Sequence, residues 1–560
     1  MSESLHRTTP AMPDDDAPPR LAPLGCRRRD WLAGALRGAF AGATARALLP
    51  WLGVAGAAVP VGAGAATGLP ALGDGGDLTL SEERRIGDQI ARAIYRDPAY
   101  LDDPVLGDYL QRIWGPLFQA ARRRGELSDE LAERYAWQLL LARDRTVNAF
   151  ALPGGYLGVH LGLIGVTGSA DELASVLAHE LCHVTQRHIA RLLSRQSQQA
   201  PLVLAAMVLG ALAASAARNA DIASAAIAGG QAVAMQGQLN FSRDMEREAD
   251  RIGLTVLQAA GFDGHGFIGM FDRLQQSARL NDDGSYPYLR SHPLTTERVA
   301  DMRARLPLEA AARTPGAAAG PVSPTGHAFM AARARVLADP APDRLQAHAS
   351  AALDGHDGRA ARDPGRLYAG ALACAWLRDA PGALRLLPAV REAADADDAR
   401  LAADLLRLEL LSMLRTDPRL PSAEGQALPT WAERGLDTGG RAGLLLAAGA
   451  ATALPGPVAQ RAVTRLQAWC VEHPQDAGAW SALAAVQHAL GQPVRATRAE
   501  GEARLAWLDP AGALDRFRAA QRLARERGVD DLMELSVLDA RARYAEGLLR
   551  EQLAEQAPRR

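Results

Sequence analysis

The sequence predicts a mainly α protein with one small β-hairpin or sheet: a first domain organised around a histidine-bearing helix, then an α-solenoid. Three observations carry that prediction. From Ser169 to Arg195 the chain reads SADELASVLAHELCHVTQRHIARLLSR, in which Leu173, Leu177, Leu181 and Val184 recur at helical spacing and give one apolar face. Immediately upstream, Pro153-Gly154-Gly155 joins two short apolar runs, Val147 to Leu152 and Tyr156 to Val159, which reads as strand, turn and strand. Far downstream, Ala371 and Ala383, and again Ala484 and Ala496, place small residues twelve apart, as needed where two antiparallel helices cross closely.

At 560 residues the chain is too long for one core. It divides into a leader (1–70), a first domain (71–310), a Pro/Gly/Ala-rich linker (311–326) and a helical repeat domain (327–560). Hydrophobic content of 48% and charged content of 22% are ordinary for globular protein, and a formal charge of −2 argues against nucleic acid as a partner. All 62 basic residues are Arg; that reads as a coding bias, so Arg clusters carry little weight. In the leader, Arg28-Arg29-Asp30-Trp31-Leu32 opens a long Ala/Gly/Leu stretch that closes near Ala63-Gly64-Ala65. This resembles a twin-arginine export signal with a signal-peptidase site, with an uncleaved anchor as the alternative; either way the bulk of the chain lies outside the cytoplasm. Leu24-Gly25-Cys26 precedes the apolar region and does not fit a lipoprotein box. The other cysteines are Cys182, Cys374 and Cys470, and nothing in the sequence brings the last two together.

The chemistry concentrates on the histidine helix. Ser169 followed by Glu172 predicts a reciprocal capping box at its start. His179 and His183 lie one turn apart and project from the same side, so both imidazoles can converge on one metal ion. Glu180, rotated by roughly 100°, is offset from the pair and can reach a water at the metal. The reading is hydrolytic: zinc acidifies the water and Glu180 takes its proton. A third ligand must come from elsewhere. NFSRDMEREADRIGLTVLQAAGFD predicts a second helix, capped at Ser242 and ending at Gly261, with Glu246, Glu248 and Asp250 clustered in it. Glu246 and Asp250 share a face, which suits one carboxylate ligand and a second carboxylate holding a histidine N–H; a solvated charged face is the plainer alternative. Cys182 sits on a different azimuth from His183 and is disfavoured as a ligand. The hairpin ahead of the metal helix offers an edge strand to which an extended peptide can add. The apolar stretch 201–217 is at the lower limit for spanning a bilayer and reads better as part of a helical hairpin touching membrane or substrate.

His179-Glu180-Leu181-Cys182-His183 followed by Glu246-Arg-Glu-Ala-Asp250 resembles the H-E-x-x-H plus E-x-x-x-D pattern of the HtpX and prenyl-CAAX protease family of gluzincin metallopeptidases. VNAFALPGGYLGVHLGLI and SRDMEREADRIG extend the likeness toward the periplasmic branch that joins this peptidase domain to tetratricopeptide repeats and serves β-barrel assembly. The resemblance covers roughly residues 78–310. It implies one Zn²⁺ per chain held by His179, His183 and Glu246, with Glu180 as base and Asp250 as orienting residue. It further implies that Asn148 to Gly158 lines the substrate cleft and that His292, in Tyr288-Leu289-Arg290-Ser291-His292-Pro293, gates the metal; a capped turn before the next helix is the alternative. Arg298 follows that loop. The metzincin pattern is excluded, since Gln186 stands where Gly is needed and His188 falls one residue short.

Beyond the linker the pattern is helix after helix. Leu367 onward and Trp480 onward, the latter behind Pro474, resemble tetratricopeptide repeats, while Pro421 to Val463 is less regular; four to six hairpins are expected. Two functions follow. One is a periplasmic zinc endopeptidase acting on unfolded or misassembled outer-membrane proteins, its repeats docking substrate or the β-barrel assembly machinery. The other is a chaperone or adaptor working through the repeats with little proteolysis. An intact Glu180 favours the first, because an adaptor has no use for a general base.

Overall fold

A computed structural model describes residues 78–195, 242–280, 286–306, 320–354, 363–454 and 456–556. The stretch read as an export leader (1–70) and the apolar stretch 201–217 lie outside the described residues. Among those described, no helix is long and apolar enough to cross a membrane.

The order begins with α1 (Leu80–Tyr95), β1 (Tyr100–Leu101), α2 (Pro104–Arg123), α3 (Asp129–Arg134) and β2 (Gln138–Ala142). Thr79 and Glu82 close a capping box on α1, and Asp103 caps α2 ahead of Pro104, whose missing N–H costs nothing at that position. The sequence from Ser81 to about Leu140 reads as helical throughout, and β2 corrects that expectation at its end. A short apolar run such as Leu139-Leu140-Leu141 has no period of its own, and tertiary pairing decides its form. Trp137, at φ 50°, turns the chain out of α3, and β2 then pairs in parallel with a strand that comes later in the sequence.

The expected hairpin is present as β3 (Ala149–Leu152) and β4 (Tyr156–His160), antiparallel with Ala149 opposite Val159. Gly154 and Gly155 turn it at φ 73° and 83°, conformations that L side chains rarely adopt. The sheet order is β1-β2-β4-β3, so β3 is an edge.

α4 (Leu161–Val166) leads into α5 (Ala170–Thr185) and α6 (His188–Arg195). Three expectations are corrected here. The histidine helix is buried on almost every side rather than on one apolar face, because α2, β3 and two later helices surround it. It also breaks after Thr185, with Arg187 at φ 52°. The capping box is half-formed as well. The Glu172 N–H donates to Ser169 Oγ at 3.1 Å, but the Glu172 carboxylate accepts from the Gly168 N–H at 2.6 Å and is held by Arg273 at 2.8 and 3.1 Å.

Next come α7 (Arg243–Ala259), capped by Ser242 and closed by Gly261 at φ 88°, α8 (His265–Leu280), α9 (Tyr288–Ser291) and α10 (Thr296–Ala304). α7 and α8 pack on α5. Gly253 of α7 faces α5 and α8: a Cβ there would stand 3.2 Å from the Phe267 ring and in ordinary contact, 3.4 Å, with the backbone nitrogen of His179.

The remaining described chain is α11 (Pro324–Ala338), α12 (Pro342–Asp354), α13 (Pro364–Trp376), α14 (Ala380–Ala393), α15 (Asp397–Leu414), α16 (Ser422–Asp437), α17 (Arg441–Ala451), α18 (Pro457–Glu472), α19 (Ala477–Ala489), α20 (Pro493–Ala506), α21 (Pro510–Glu526) and α22 (Leu532–Gln556). From α12 onward each packs on the next, and most also on the next but one. That is the near-neighbour stacking of a helical array. Ala371, Ala383, Ala484 and Ala496 are all buried where paired helices meet. The stretch 421–463, expected to be less regular, is as helical as the rest: Pro421 and Pro457 sit at helix starts, and only Pro429 falls within a helix. α11 begins at Pro324, inside the expected linker, and packs on α4. Cys182, Cys374 and Cys470 are buried free thiols.

Candidate metal centre

α5 carries His179, Glu180 and His183; the first turn of α7 brings Glu246, and the residue after α9 brings His292. One donor atom from each of His179, His183, Glu246 and His292 lies within 4.8 Å of all the others, and all four side chains are buried. His179 Nε2 is 3.0 Å from His183 Nε2 and 3.5 Å from Glu246 Oε2; His183 Nε2 is 3.4 Å from Glu246 Oε1. The structure thus brings together the residues that the sequence proposes as ligands, from positions more than sixty residues apart in the chain. Glu248, the open alternative, points away from them.

The protons on the two imidazoles are fixed from behind. Asp250 Oδ1 stands 2.9 Å from His179 Nδ1, and a carboxylate oxygen only accepts, so Nδ1 carries the proton. His183 Nδ1 faces His188 Nδ1 at 2.9 Å, and His188 Nε2 faces Glu248 Oε2 at 3.0 Å. With His188 donating to Glu248, its Nδ1 accepts and His183 Nδ1 donates. Two neutral rings would then present Nε2 lone pairs to one another at 3.0 Å, which is repulsive unless a proton or a metal cation lies between them. The donor set, two imidazoles and a carboxylate, is one that zinc takes at catalytic sites. The residues fit a metal.

Without a metal, the pocket takes its positive charge as a proton on His179. Burial opposes charge on His179, but hydrogen bonds to Asp250 and Glu246 outweigh it and push His179 up to about 10. His183 is held well below the ordinary histidine value by burial. Burial would raise Glu246, yet the surrounding histidines hold it well below the usual carboxylate range. A pocket with this potential calls for a positive charge. Glu180 differs: burial raises it, and although the Ala151 backbone N–H in β3 faces the carboxylate, no full hydrogen bond closes on it. Its Oε1 lies 3.4 Å from His292 Nε2.

His292 sits further in than a turn-capping residue needs to. Its Nδ1 is 3.0 Å from Glu246 Oε1, and its ring stacks on Tyr288 at 4.6 Å between centroids.

Residues 119–306 match the profile of peptidase family M48. This segment is a peptidase family M48 domain. The β-barrel assembly-enhancing protease of Escherichia coli K12 is 34% identical over 254 residues, 45% of this chain and 49% of that protein. A Vibrio cholerae relative is 38% identical over 239 residues, 42% of this chain and 47% of that protein. The mitochondrial metalloendopeptidase OMA1 of Saccharomyces cerevisiae is 29% identical over 206 residues, 35% of this chain and 55% of that protein. The matched part spans about half the length of these relatives.

Two features of the M48 domain escaped sequence reasoning. Arg298 holds Asp250 bidentately at 2.6 and 2.8 Å and reaches Glu246 Oε2 at 2.7 Å, so one guanidinium fixes both carboxylates. His188 and Glu248 form the link to His183. Its only signal was a histidine one residue short of a different metal motif.

Proposed function

We propose that the chain is a zinc-dependent endopeptidase of the cell envelope, with one ion held by His179, His183 and Glu246. The observation that carries this reading is the 3.0 Å approach of two histidine Nε2 atoms whose Nδ1 protons are both engaged, beside a buried carboxylate. When bound, zinc supplies Lewis-acid polarisation of a peptide carbonyl and acidifies water. Glu180 takes the proton of the attacking water on its carboxylate and passes it to the departing amide nitrogen. Asp250 holds the His179 Nδ1 proton, and Arg298 holds Asp250 and Glu246 in register. β3, at the sheet edge and packed on α5, binds an extended peptide by backbone hydrogen bonds without reading its side chains.

His292 occupies the space that water and a peptide carbonyl need, so its proposed role is a gate that keeps the protease latent. His292→Ala is expected to raise basal cleavage of a test protein roughly tenfold, equivalent to about 1.4 kcal/mol of closure. Unchanged cleavage eliminates the gate.

The E. coli relative's name, the stacked helices from 327 onward and the export-like leader support a finer reading. The substrates are unfolded or misassembled outer-membrane proteins, met in the periplasm, and the array has a tetratricopeptide-like role in docking them or the β-barrel assembly machinery. The deciding experiment uses purified full-length protein: an unfolded test protein should be cleaved, a chelator should stop cleavage, and zinc should restore it. Bound zinc without hydrolysis would leave the adaptor reading standing instead.

A further inference from the structure

The structure assigns His188 and Glu248 as positioning residues for the ligand His183, an assignment that rests on the metal centre proposed above. In an unbroken helix two residues five apart diverge by about 140°, so His188 would face away from His183. The chain instead breaks between α5 and α6 at Arg187, whose φ of 52° is uncommon for a non-glycine residue. The Arg187 guanidinium is held by Glu83 of α1, with Nε at 2.7 Å, which keeps the break in place. The turn delivers the His188 ring onto His183, with centroids 4.9 Å apart and Nδ1 to Nδ1 at 2.9 Å.

His188 is wholly buried, and its other nitrogen reaches Glu248 Oε2 at 3.0 Å; Arg191 Nη1 meets the same oxygen at 2.9 Å. The carboxylate accepts only, so the proton sits on His188 Nε2, the neutral ring offers Nδ1 as acceptor, and His183 donates from Nδ1. The His183 Nε2 lone pair is left facing Glu246. The same link ties α5 to α7 two residues beyond Glu246, so the ring orientation of one ligand and the placement of another share a support. Asp250 does for His179 what a second imidazole, relayed to a surface carboxylate, does for His183.

The test is zinc affinity of the full-length chain, measured by competition with a chromophoric chelator. His188→Phe fills the buried space with no ring nitrogen and is expected to weaken zinc binding about 10- to 100-fold, the usual effect of losing such a partner. His188→Asn places an amide oxygen near the position of Nδ1 and is expected to recover most of that loss. Glu248→Ala should fall between the two. A folded His188→Phe protein that binds zinc as the native chain does overturns the assignment, as does failure of His188→Asn to recover affinity. If His188→Phe does not fold, Glu248→Ala decides alone, and native affinity there overturns it. A native chain that takes up no zinc overturns the metal centre itself, and this assignment with it.

Discussion

Replacing Glu180 with Gln is expected to remove cleavage while leaving zinc content and fold intact. The side chain is fully buried at the point where α5 faces β3, and it is not one of the four groups that converge on the metal position. Gln keeps the volume and cannot take a proton. General-base removal costs about 10² to 10⁴ in rate, so activity should fall by roughly 10³. Stability should move the other way or not at all. Burial raises the Glu180 pKa, which means the ionised carboxylate is destabilised where it stands, and a neutral amide of the same shape lifts that penalty. The variant should therefore melt no lower than the native protein. Zinc analysis, a cleavage assay and a melting curve on the same preparation check all three. Full activity removes Glu180 as the base, and loss of zinc moves it into the ligand set.

The parts of the centre that were legible in the sequence are those generated by helix geometry. His179 and His183 four apart, Ser242 as a cap, and Glu246 and Asp250 four apart follow from a 3.6-residue period and need no tertiary information. The glycine pair of the hairpin is equally local, since only left-handed backbone closes that turn. What was hidden depends on partners distant in the chain. β2 is a strand because β4 pairs with it, and Glu172 leaves its own cap because Arg273 offers two hydrogen bonds in place of one. The low weight given to arginines concealed the most. In a chain whose 62 basic residues are all Arg, composition cannot separate surface arginines from Arg298 at the metal centre or Arg333 in the core.

Arg333→Met is expected to destabilise the protein by about 3 kcal/mol without changing zinc content. Arg333 in α11 is 1% exposed, and its guanidinium makes four hydrogen bonds to two carboxylates. It meets Asp103 at 2.9 and 2.7 Å and Glu409 of α15 at 2.6 and 2.9 Å. Asp103 also accepts the Leu106 N–H at 2.8 Å as the cap of α2, so one buried ion triad ties α2 to α11 and α15. Removing the cation leaves two carboxylates with little access to water, and the cost comes from those orphaned charges more than from the lost attraction. That distinction is testable. Combining Arg333→Met with Asp103→Asn and Glu409→Met keeps the helix cap, removes both stranded charges and should recover most of the lost stability, because a buried ion cluster replaced whole is close to neutral. Denaturant unfolding of the single and triple variants separates the outcomes. A triple variant no more stable than the single would mean that the ion pairs themselves hold α2 against α11 and α15. A single variant as stable as the native protein would mean that the triad contributes nothing to joining them.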